Sequence, residues 1–396
     1  CGTSGSSKQL AAAPGFDPVA KTIHVGIISA LTGPVALIGK PLTAGNELWF
    51  NHVNQDLGGI GGKYKIVFDE EDSQYVPQNG VQAYNKLKDN EVLIAQLLGT
   101  PVTKAVLPLL KQDNVVASPA SLDADWVRDP NLLPVEAPYQ IQMINAASYL
   151  VNDLGMKGKT FCEMIQDDSY GEAGKAGVDY AAAQLGFTVK SLARYATPAT
   201  DLTAQIQQLK QANCDVVFLT STPTDTGKAF GTAAQLGFAP QWVGQSPSYH
   251  QALIATPLKA YLQAHFLLAS EGTEWGDRSV KGQADMLDLI TKLAPSQAPD
   301  GYFGFGYVEG RLVTQILEQA VKDGDLSRAG IQKAMADVGT LTFDGLTGDY
   351  KYGAPANREP PRSSTIFRIN PAKPIGVEVA KATFVSDIAK TYKIPG

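Results

Sequence analysis

The stretch from Val25 to Gly45 constrains the fold more than any other part of the chain. Its first residues, Val25–Ser29, are an apolar, β-branched run of the kind that forms a buried parallel strand. The pair Gly33-Pro34 ends this strand, and apolar residues then recur at helical spacing from Ala44 to Leu57. A strand, a turn and a helix in this order place free backbone N–H groups at the carboxyl edge of a sheet, where open α/β folds bind small molecules.

The same unit of strand and helix recurs along the chain in two series. The pattern predicts strands at residues 64–69, 92–98 and 115–118, and then at 160–166, 188–193, 215–220, 241–243 and 265–269. Helices separate these strands, as in parallel sheets that are covered on both faces. After residue 271 come long helices and two extended segments, 348–352 and 364–369, which we expect to join the two sheets already formed. The sequence therefore predicts an α/β fold with two Rossmann-like lobes.

The composition limits the classes of partner. A chain of 396 residues, of which 44% are hydrophobic, can bury more than one core. The net charge of −6 comes from interspersed acidic and basic residues without a basic stripe, so we expect no nucleic-acid partner. The longest apolar runs are too short to cross a bilayer. No motif indicates a cofactor.

The first residues are typical of a processed, exported protein. Cys1 precedes a small polar segment, Gly2–Ser7, that has nothing to pack. In bacterial lipoproteins a cysteine exposed by signal cleavage carries acyl chains, and the alternative is an arbitrary chain boundary that falls on a cysteine. We therefore expect lipidation at Cys1, a flexible tether over residues 1–21 and an extracytoplasmic protein that is lipid-anchored to the cell membrane.

The other two cysteines, Cys162 and Cys214, each lie at the start of an apolar, strand-like run. An exported protein could pair them in a disulfide, whereas a buried free cysteine behaves as a small hydrophobe, and the sequence leaves both open. Neither cysteine has a CxxC partner, and the four histidines are scattered at positions 24, 52, 250 and 265. We therefore expect no metal site.

Motifs for catalysis are missing from the sequence. The glycine-rich run Leu57–Lys63 follows a helix and precedes a strand, whereas a phosphate-binding loop must follow a strand and open a helix. We interpret it as a turn. The pair Gly227-Lys228 lacks the earlier glycine and the following hydroxyl of a P-loop, and neither GxSxG nor HExxH occurs. The sequence therefore favours a binding protein over an enzyme.

Several segments resemble the extracellular solute-binding proteins of ABC importers. More narrowly, the chain is similar to the leucine/isoleucine/valine- and amide-binding family, which has the type I periplasmic binding fold. The matching segments occur in the family's order and cover nearly the whole chain. They are Ile27–Gly45, Asn54–Lys63, Asp69–Asp72, Ser118–Ser121, Asp167–Gly171, Asn213–Val217 and Phe343–Gly348.

The resemblance implies a chain that passes three times through a hinge. Lobe one would comprise residues 22–138 and 271–355, and lobe two would comprise residues 139–270 and 356–396. It further implies a monomer that closes around a small ligand and is recognised by the permease and ATPase subunits of the importer. A ligand-sensing receptor domain of the same fold is the alternative.

The resemblance also implies the ligand-binding residues. Ile38 stands where the family has an aromatic residue, Leu122 where amino-acid binders often have Thr, and Tyr170 matches the family tyrosine. Hydroxyls, rings and backbone groups of the neighbouring loops complete the expected site. The candidates are Ile38, Gly99, Thr100, Ala120, Ser121, Leu122, Tyr170, Thr222, Ser246, Tyr249 and Tyr302.

One departure from the family pattern bears on the ligand. Ser246 occupies the region of the acidic residue that holds an α-ammonium group, and a buried ammonium without a carboxylate is costly. Asp123, Asp125 and Glu274 are nearby, but we interpret them as solvated loop charges. We therefore expect a small ligand that is apolar or neutral, or that carries one carboxylate or carbonyl, rather than a standard branched-chain amino acid.

Overall fold

The computed structural model describes residues 10–396 and contains two lobes, each built on its own sheet. The predicted α/β class is confirmed. In lobe one, β2 pairs in parallel with β3 on one side and with β4 on the other, and β4 pairs in parallel with β5. The short β1 pairs antiparallel with the start of β2. The strands are β1 (Phe16–Asp17), β2 (Thr22–Ser29), β3 (Lys65–Asp72), β4 (Leu93–Leu98) and β5 (Ala117–Ala120).

Helices from two distant parts of the chain cover this sheet. One core joins β2 and the first helix to the long helices that follow residue 280, together with a small β11–β12 hairpin. Helices α2 and α3 pack in a second core against β4 and β5. The helices and short strands of lobe one are α1 (Ala36–Gln55), α2 (Pro77–Leu87), α3 (Thr100–Asp113), α9 (Lys281–Leu293), α10 (Gly301–Asp323), α11 (Arg328–Asp337), β11 (Thr340–Leu341) and β12 (Tyr350–Lys351).

Helices α1 and α10 approach so closely that the contact requires glycine. A Cβ atom at Gly306 would lie 1.8 Å from the carbonyl oxygen of Leu42, which is far inside van der Waals contact. The helix that carries Ile38 and the helix that carries Tyr302 are thereby held backbone to backbone, which fixes two candidate site residues relative to each other.

Lobe two contains a seven-stranded sheet in the order β14-β13-β10-β9-β8-β6-β7. Strands β6 to β10 run parallel, and β13 and β14 add antiparallel at one edge. The strands are β6 (Phe161–Gln166), β7 (Val189–Tyr195), β8 (Val216–Thr220), β9 (Gln241–Gln245), β10 (Phe266–Ser270), β13 (Ser364–Ile369) and β14 (Val377–Phe384). The helices are α4 (Tyr139–Ser148), α5 (Ser169–Leu185), α6 (Thr203–Gln211), α7 (Pro223–Gln235), α8 (Lys259–His265) and α12 (Asp387–Thr391).

The chain crosses between the lobes in three places: between β5 and α4, between β10 and α9, and between β12 and β13. The two sheets have separate hydrophobic cores, and Ile375 packs against both of them. The exact lobe boundaries at residues 138, 270 and 355 stay predictions.

The two ends of the packed chain differ from the sequence analysis. Phe16 is 3% exposed and pairs with Ile23, so the predicted tether over residues 1–21 is too long at its C-terminal end. The segment after Ile369, for which the sequence analysis predicted no element, contains β14 and α12. Both packed ends were missed because each is too short or too polar to show a clear period. Cys1 lies outside the described residues.

Cys162 and Cys214 form a disulfide in lobe two, which settles the choice that the sequence left open. The bond links β6 to the turn before β8, at residues that are 0% and 6% exposed. Within residues 10–396 none of the helices combines the length and the hydropathy that a bilayer span requires.

Candidate functional site

The candidate site lies where strand ends of both lobes face each other. In lobe one, β2, β4 and β5 end at the starts of α1, α3 and the Ser121-Leu122 turn. In lobe two, β6, β8 and β9 end at the starts of α5, α7 and the Ser246 turn. The arrangement follows from parallel pairing, because the carboxyl ends of parallel strands share one edge of a sheet.

A cavity of about 190 Å³ occupies the cleft between these edges. The structure brings all eleven candidate residues to its wall, although their contact with a ligand stays a prediction. The lining candidates are Ile38, Gly99, Thr100, Ala120, Ser121, Leu122, Tyr170, Thr222, Ser246, Tyr249 and Tyr302.

Most of the cavity wall is apolar. Aliphatic side chains come from α1, from β10 and from α9 and α10, and several aromatic rings accompany them. Among the described residues that line the cavity there is no Lys, Arg or His. The apolar and aromatic lining residues beyond the candidates are Val35, Leu42, Tyr75, Leu98, Tyr139, Leu268, Trp275, Met286, Phe305, Val308, Leu346, Phe367, Ile375 and Val377.

The hydroxyls of lobe one are held in a fixed pair. Thr100 Oγ1 and Ser121 Oγ lie 2.7 Å apart, and Trp126 Nε1 donates a hydrogen bond to Ser121 Oγ over 3.1 Å. The loop before α3 can approach closely because Gly99 has a φ of 102° and a Cβ atom there would lie 2.5 Å from the ring of Tyr75. The pair therefore presents oriented hydroxyls at the start of α3.

In lobe two the ring of Tyr170 is 2% exposed. Its hydroxyl donates to the Ser221 carbonyl over 3.2 Å, and its ring meets Tyr139 edge-on with 5.1 Å between centroids. The side chain of Asp168 caps the N-terminus of α5 by accepting a hydrogen bond from the backbone N–H of Tyr170. This bond fixes the backbone position from which the Tyr170 ring extends. Thr222 Oγ1 is buried and has no hydrogen-bonding partner within the part of the chain that the structure describes.

The three acids named from the sequence do not line the cavity. Asp125 is exposed, and Glu274 pairs with Lys373. Asp123 is 7% exposed and accepts from Gln140 Nε2 over 2.8 Å, so its interpretation as a solvated loop charge is wrong. Burial raises the pKa of the Asp123 carboxyl to about 6.

Two glutamates that the sequence analysis missed line the cavity at the hinge, Glu136 and Glu271. Burial, with the nearby charge of Glu271, raises the pKa of Glu136 well above its usual value, and no described residue donates a hydrogen bond to its carboxylate. Glu271 accepts from Thr347 and, over 3.2 Å, from Ser363, and burial raises its pKa to about 7. The sequence signal that could have identified Glu136 is its position between two prolines, in the first segment that crosses between the lobes.

Hydrogen bonds join the lobes across the cleft. Thr224 Oγ1 on α7 donates to the Pro34 carbonyl over 2.9 Å, and Tyr302 OH on α10 donates to the Tyr249 carbonyl over 2.6 Å. A third link is a buried hydrogen bond of 3.0 Å between His250 Nε2 and Asp300 Oδ2, while His250 Nδ1 accepts from the backbone N–H of Ala252. The structure therefore shows the lobes in contact around the cavity.

Comparison with protein families matches residues 22–374 to the family described as periplasmic binding protein. The chain is 29% identical over 219 residues to Leu/Ile/Val-binding protein homolog 3 of Brucella melitensis, an alignment that covers 54% of this chain and 58% of the relative. It is 28% identical over 218 residues to Leu/Ile/Val-binding protein BraC3 of Rhizobium johnstonii, covering 53% and 57%. The alignments thus span less than two thirds of these curated relatives.

Solved structures resemble the chain over nearly its full length. The fatty acid ABC transporter substrate-binding protein from Thermomonospora curvata is 26% identical with a TM-score of 0.89, covering 98% of this chain and 97% of that one. A branched-chain amino acid ABC transporter protein from Thermus thermophilus with bound valine is 17% identical with a TM-score of 0.76, covering 93% and 98%. The second likeness shows the fold alone.

Proposed function

Because the chain belongs to the periplasmic binding protein family, we propose that it captures a small molecule between its lobes and delivers it to an ABC importer. The observation that carries the proposal is a largely apolar cavity whose wall includes the strand-end loops of both lobes. The partners would be the permease and ATPase subunits, and the protein would act outside the cytoplasm. Lipidation of Cys1 and a monomeric state belong to this proposal as sequence predictions, which mass spectrometry of the N-terminal peptide and light scattering would test.

The proposed mechanism is a shift of population toward the closed form. A ligand stabilises closure only through the contacts that it gains when both lobes touch it. The hydrogen bonds of Thr224 and Tyr302 across the cleft add a contribution that exists only in the closed form. The permease would then distinguish loaded protein by the relative position of the two lobes.

We propose that the ligand is a linear or branched aliphatic carboxylic acid. The apolar wall favours an aliphatic body, and the name of the Thermomonospora relative, a fatty acid binder, supports the same class. No described cationic side chain lines the cavity, so a fully ionised carboxylate would lack a counter-charge. We therefore infer that the acid head shares a proton with Glu136, whose raised pKa allows it to donate a hydrogen bond.

An α-amino acid is the second candidate, and Glu136 is also the observation that favours it. The carboxylate could accept from an α-ammonium group, and the curated relatives are named as Leu/Ile/Val-binding proteins. The two chemistries give opposite predictions for Glu136→Gln. The amide donates a hydrogen bond at every pH, which suits a carboxylate head, but it carries no charge for an ammonium.

The experiment is titration calorimetry of wild type and Glu136→Gln with octanoate and with leucine, at about pH 6 and about pH 8. We expect wild type to bind octanoate more tightly at the lower pH, and the variant to bind it nearly equally at both. Glu274→Gln, at an acid outside the cavity, is the matched control. Leucine binding that Glu136→Gln weakens, without octanoate binding in either protein, would replace the carboxylic acid by the amino acid.

A further inference from the structure

A cluster of metal-ligating side chains lies in lobe one, at residues outside the cavity wall. His24 comes from β2, Asp69 from β3, and Glu91 from the turn before β4, and their ligand atoms all lie within 4.8 Å of one another. The sequence analysis expected no metal site because the histidines were scattered. Pairing of strands from distant parts of the chain places one of these histidines beside two carboxylates.

The strand register explains the cluster. Asp69 is paired with Gly26, two residues along β2 from His24, so the two side chains leave the same face of the sheet. The backbone N–H of Val92 donates to the His24 carbonyl over 2.9 Å, which brings the preceding residue, Glu91, alongside. Gly26 brings no side chain to this position, where a Cβ atom would lie 2.7 Å from Ile94 Cδ1 and 3.4 Å from Glu91 Cγ.

Glu91 supplies a second, independent indication of a cation. Its side chain is 1% exposed, and within residues 10–396 no N–H or hydroxyl group donates to either carboxylate oxygen, whose polar neighbour is the Asp69 carboxyl. Burying a carboxylate without a partner costs several kcal/mol, and protein interiors compensate such groups by pairing or by metal coordination. Asp69 in turn lies beside the ring of His24, with 3.4 Å between Nδ1 and Oδ2.

We propose that His24, Asp69 and Glu91 bind one divalent cation of the zinc class. One imidazole and two carboxylates match the nitrogen and oxygen ligands that Zn²⁺ takes at sites with three protein ligands, whereas Mg²⁺ and Ca²⁺ prefer oxygen alone. The side chains of His24 and Asp69 are 36% and 52% exposed, so water can complete the coordination from the solvent side. The ion would cross-link β2, β3 and the start of β4.

The test is calorimetric titration of tag-free, EDTA-stripped protein with ZnCl₂, and in parallel with MnCl₂, CaCl₂ and MgCl₂. We expect one Zn²⁺ per chain, bound more tightly than Mn²⁺, and no comparable binding of Ca²⁺ or Mg²⁺. His24→Ala should weaken Zn²⁺ binding at least tenfold. His52→Ala is the matched control, since His52 also pairs with an aspartate on lobe one.

A thermal-unfolding measurement shows whether each variant is folded and whether Zn²⁺ stabilises it. Zn²⁺ should raise the melting temperature of wild type and of His52→Ala but not that of Glu91→Gln. The Gln variant should itself fold, because it removes a buried charge. Equal Zn²⁺ binding by His24→Ala and wild type would overturn the proposal. The absence of binding to folded wild type would also overturn it, and would leave Asp69 and Glu91 as two carboxyls that share a proton.

Discussion

The buried Glu309 predicts how the stability of lobe one depends on pH. It lies on α10, is 0% exposed, and accepts hydrogen bonds from Asn46 on α1 over 3.0 Å and from Ser118 on β5 over 2.9 Å. Glu309 therefore links α10 to α1 and to β5, and each of these three elements carries a candidate site residue. Burial raises the pKa of Glu309 from its ordinary value of 4.5 to about 8, because desolvation outweighs the two hydrogen bonds.

The sign and size of the effect follow from proton linkage. Between pH 4.5 and about 8 the unfolded chain has lost this proton while the folded protein retains it, so the free energy of unfolding falls as the pH rises. At ~1.4 kcal/mol per pKa unit, the full shift corresponds to a loss on the order of 5 kcal/mol by about pH 8. Glu309→Gln removes this dependence. The variant also supplies a donor in a cluster where Asn46 Oδ1 is buried without a partner among the described residues.

Urea unfolding at about pH 5 and about pH 8, followed by tryptophan fluorescence, measures the prediction. We expect the stability of Glu309→Gln relative to wild type to increase by several kcal/mol between the two pH values. Glu318→Gln makes the same substitution at an exposed site on the same helix and is the control. Contributions from other titrating groups are common to wild type and variants and cancel in the difference. Parallel pH profiles for wild type and Glu309→Gln would refute the reasoning.

Three further predictions concern closure, the disulfide and the helix contact. Thr224→Ala should weaken octanoate binding about fivefold in calorimetry, since the closed form loses a hydrogen bond worth ~1 kcal/mol. Thr232→Ala, on the same helix, is the control and should leave the affinity unchanged. Equal affinities of Thr224→Ala and wild type would argue against closure. Replacing Cys162 and Cys214 together by Ala should lower the free energy of unfolding by about 4 kcal/mol, given a separation of 52 residues; insensitivity to the change would contradict the loop-entropy argument. Gly306→Ala should lower the melting temperature strongly because its Cβ meets the Leu42 carbonyl. Gly304→Ala, with 3.8 Å to its nearest neighbour, should not, and similar melting temperatures would show that α1 and α10 can separate freely.

The sequence predicted the elements whose residues are buried on a regular period. Strands such as β2 and β8 are continuous apolar runs, so their existence and their shared carboxyl edge could be inferred without coordinates. The resemblance then identified loops at that edge, and all eleven candidate residues line one cavity. Their contact with a ligand remains a prediction.

The features that the sequence analysis missed depend on long-range packing. Strand β14 alternates irregularly between half-buried and exposed residues at the edge of its sheet, so no period marks it. Glu136 lies in a crossing segment outside any helix or strand, and its place in the cavity follows from the hinge rather than from its neighbours in the chain. His24, Asp69 and Glu91 become neighbours only after three strands pair.

The central claim is that the cleft captures an apolar acid between two closing lobes. The most direct test is calorimetric titration of octanoate, and separately of leucine, into wild-type protein that has been unfolded in urea, dialysed free of ligand and refolded. The account predicts one octanoate bound per chain and no heat of binding from leucine. Tight binding of leucine with no binding of octanoate would contradict it.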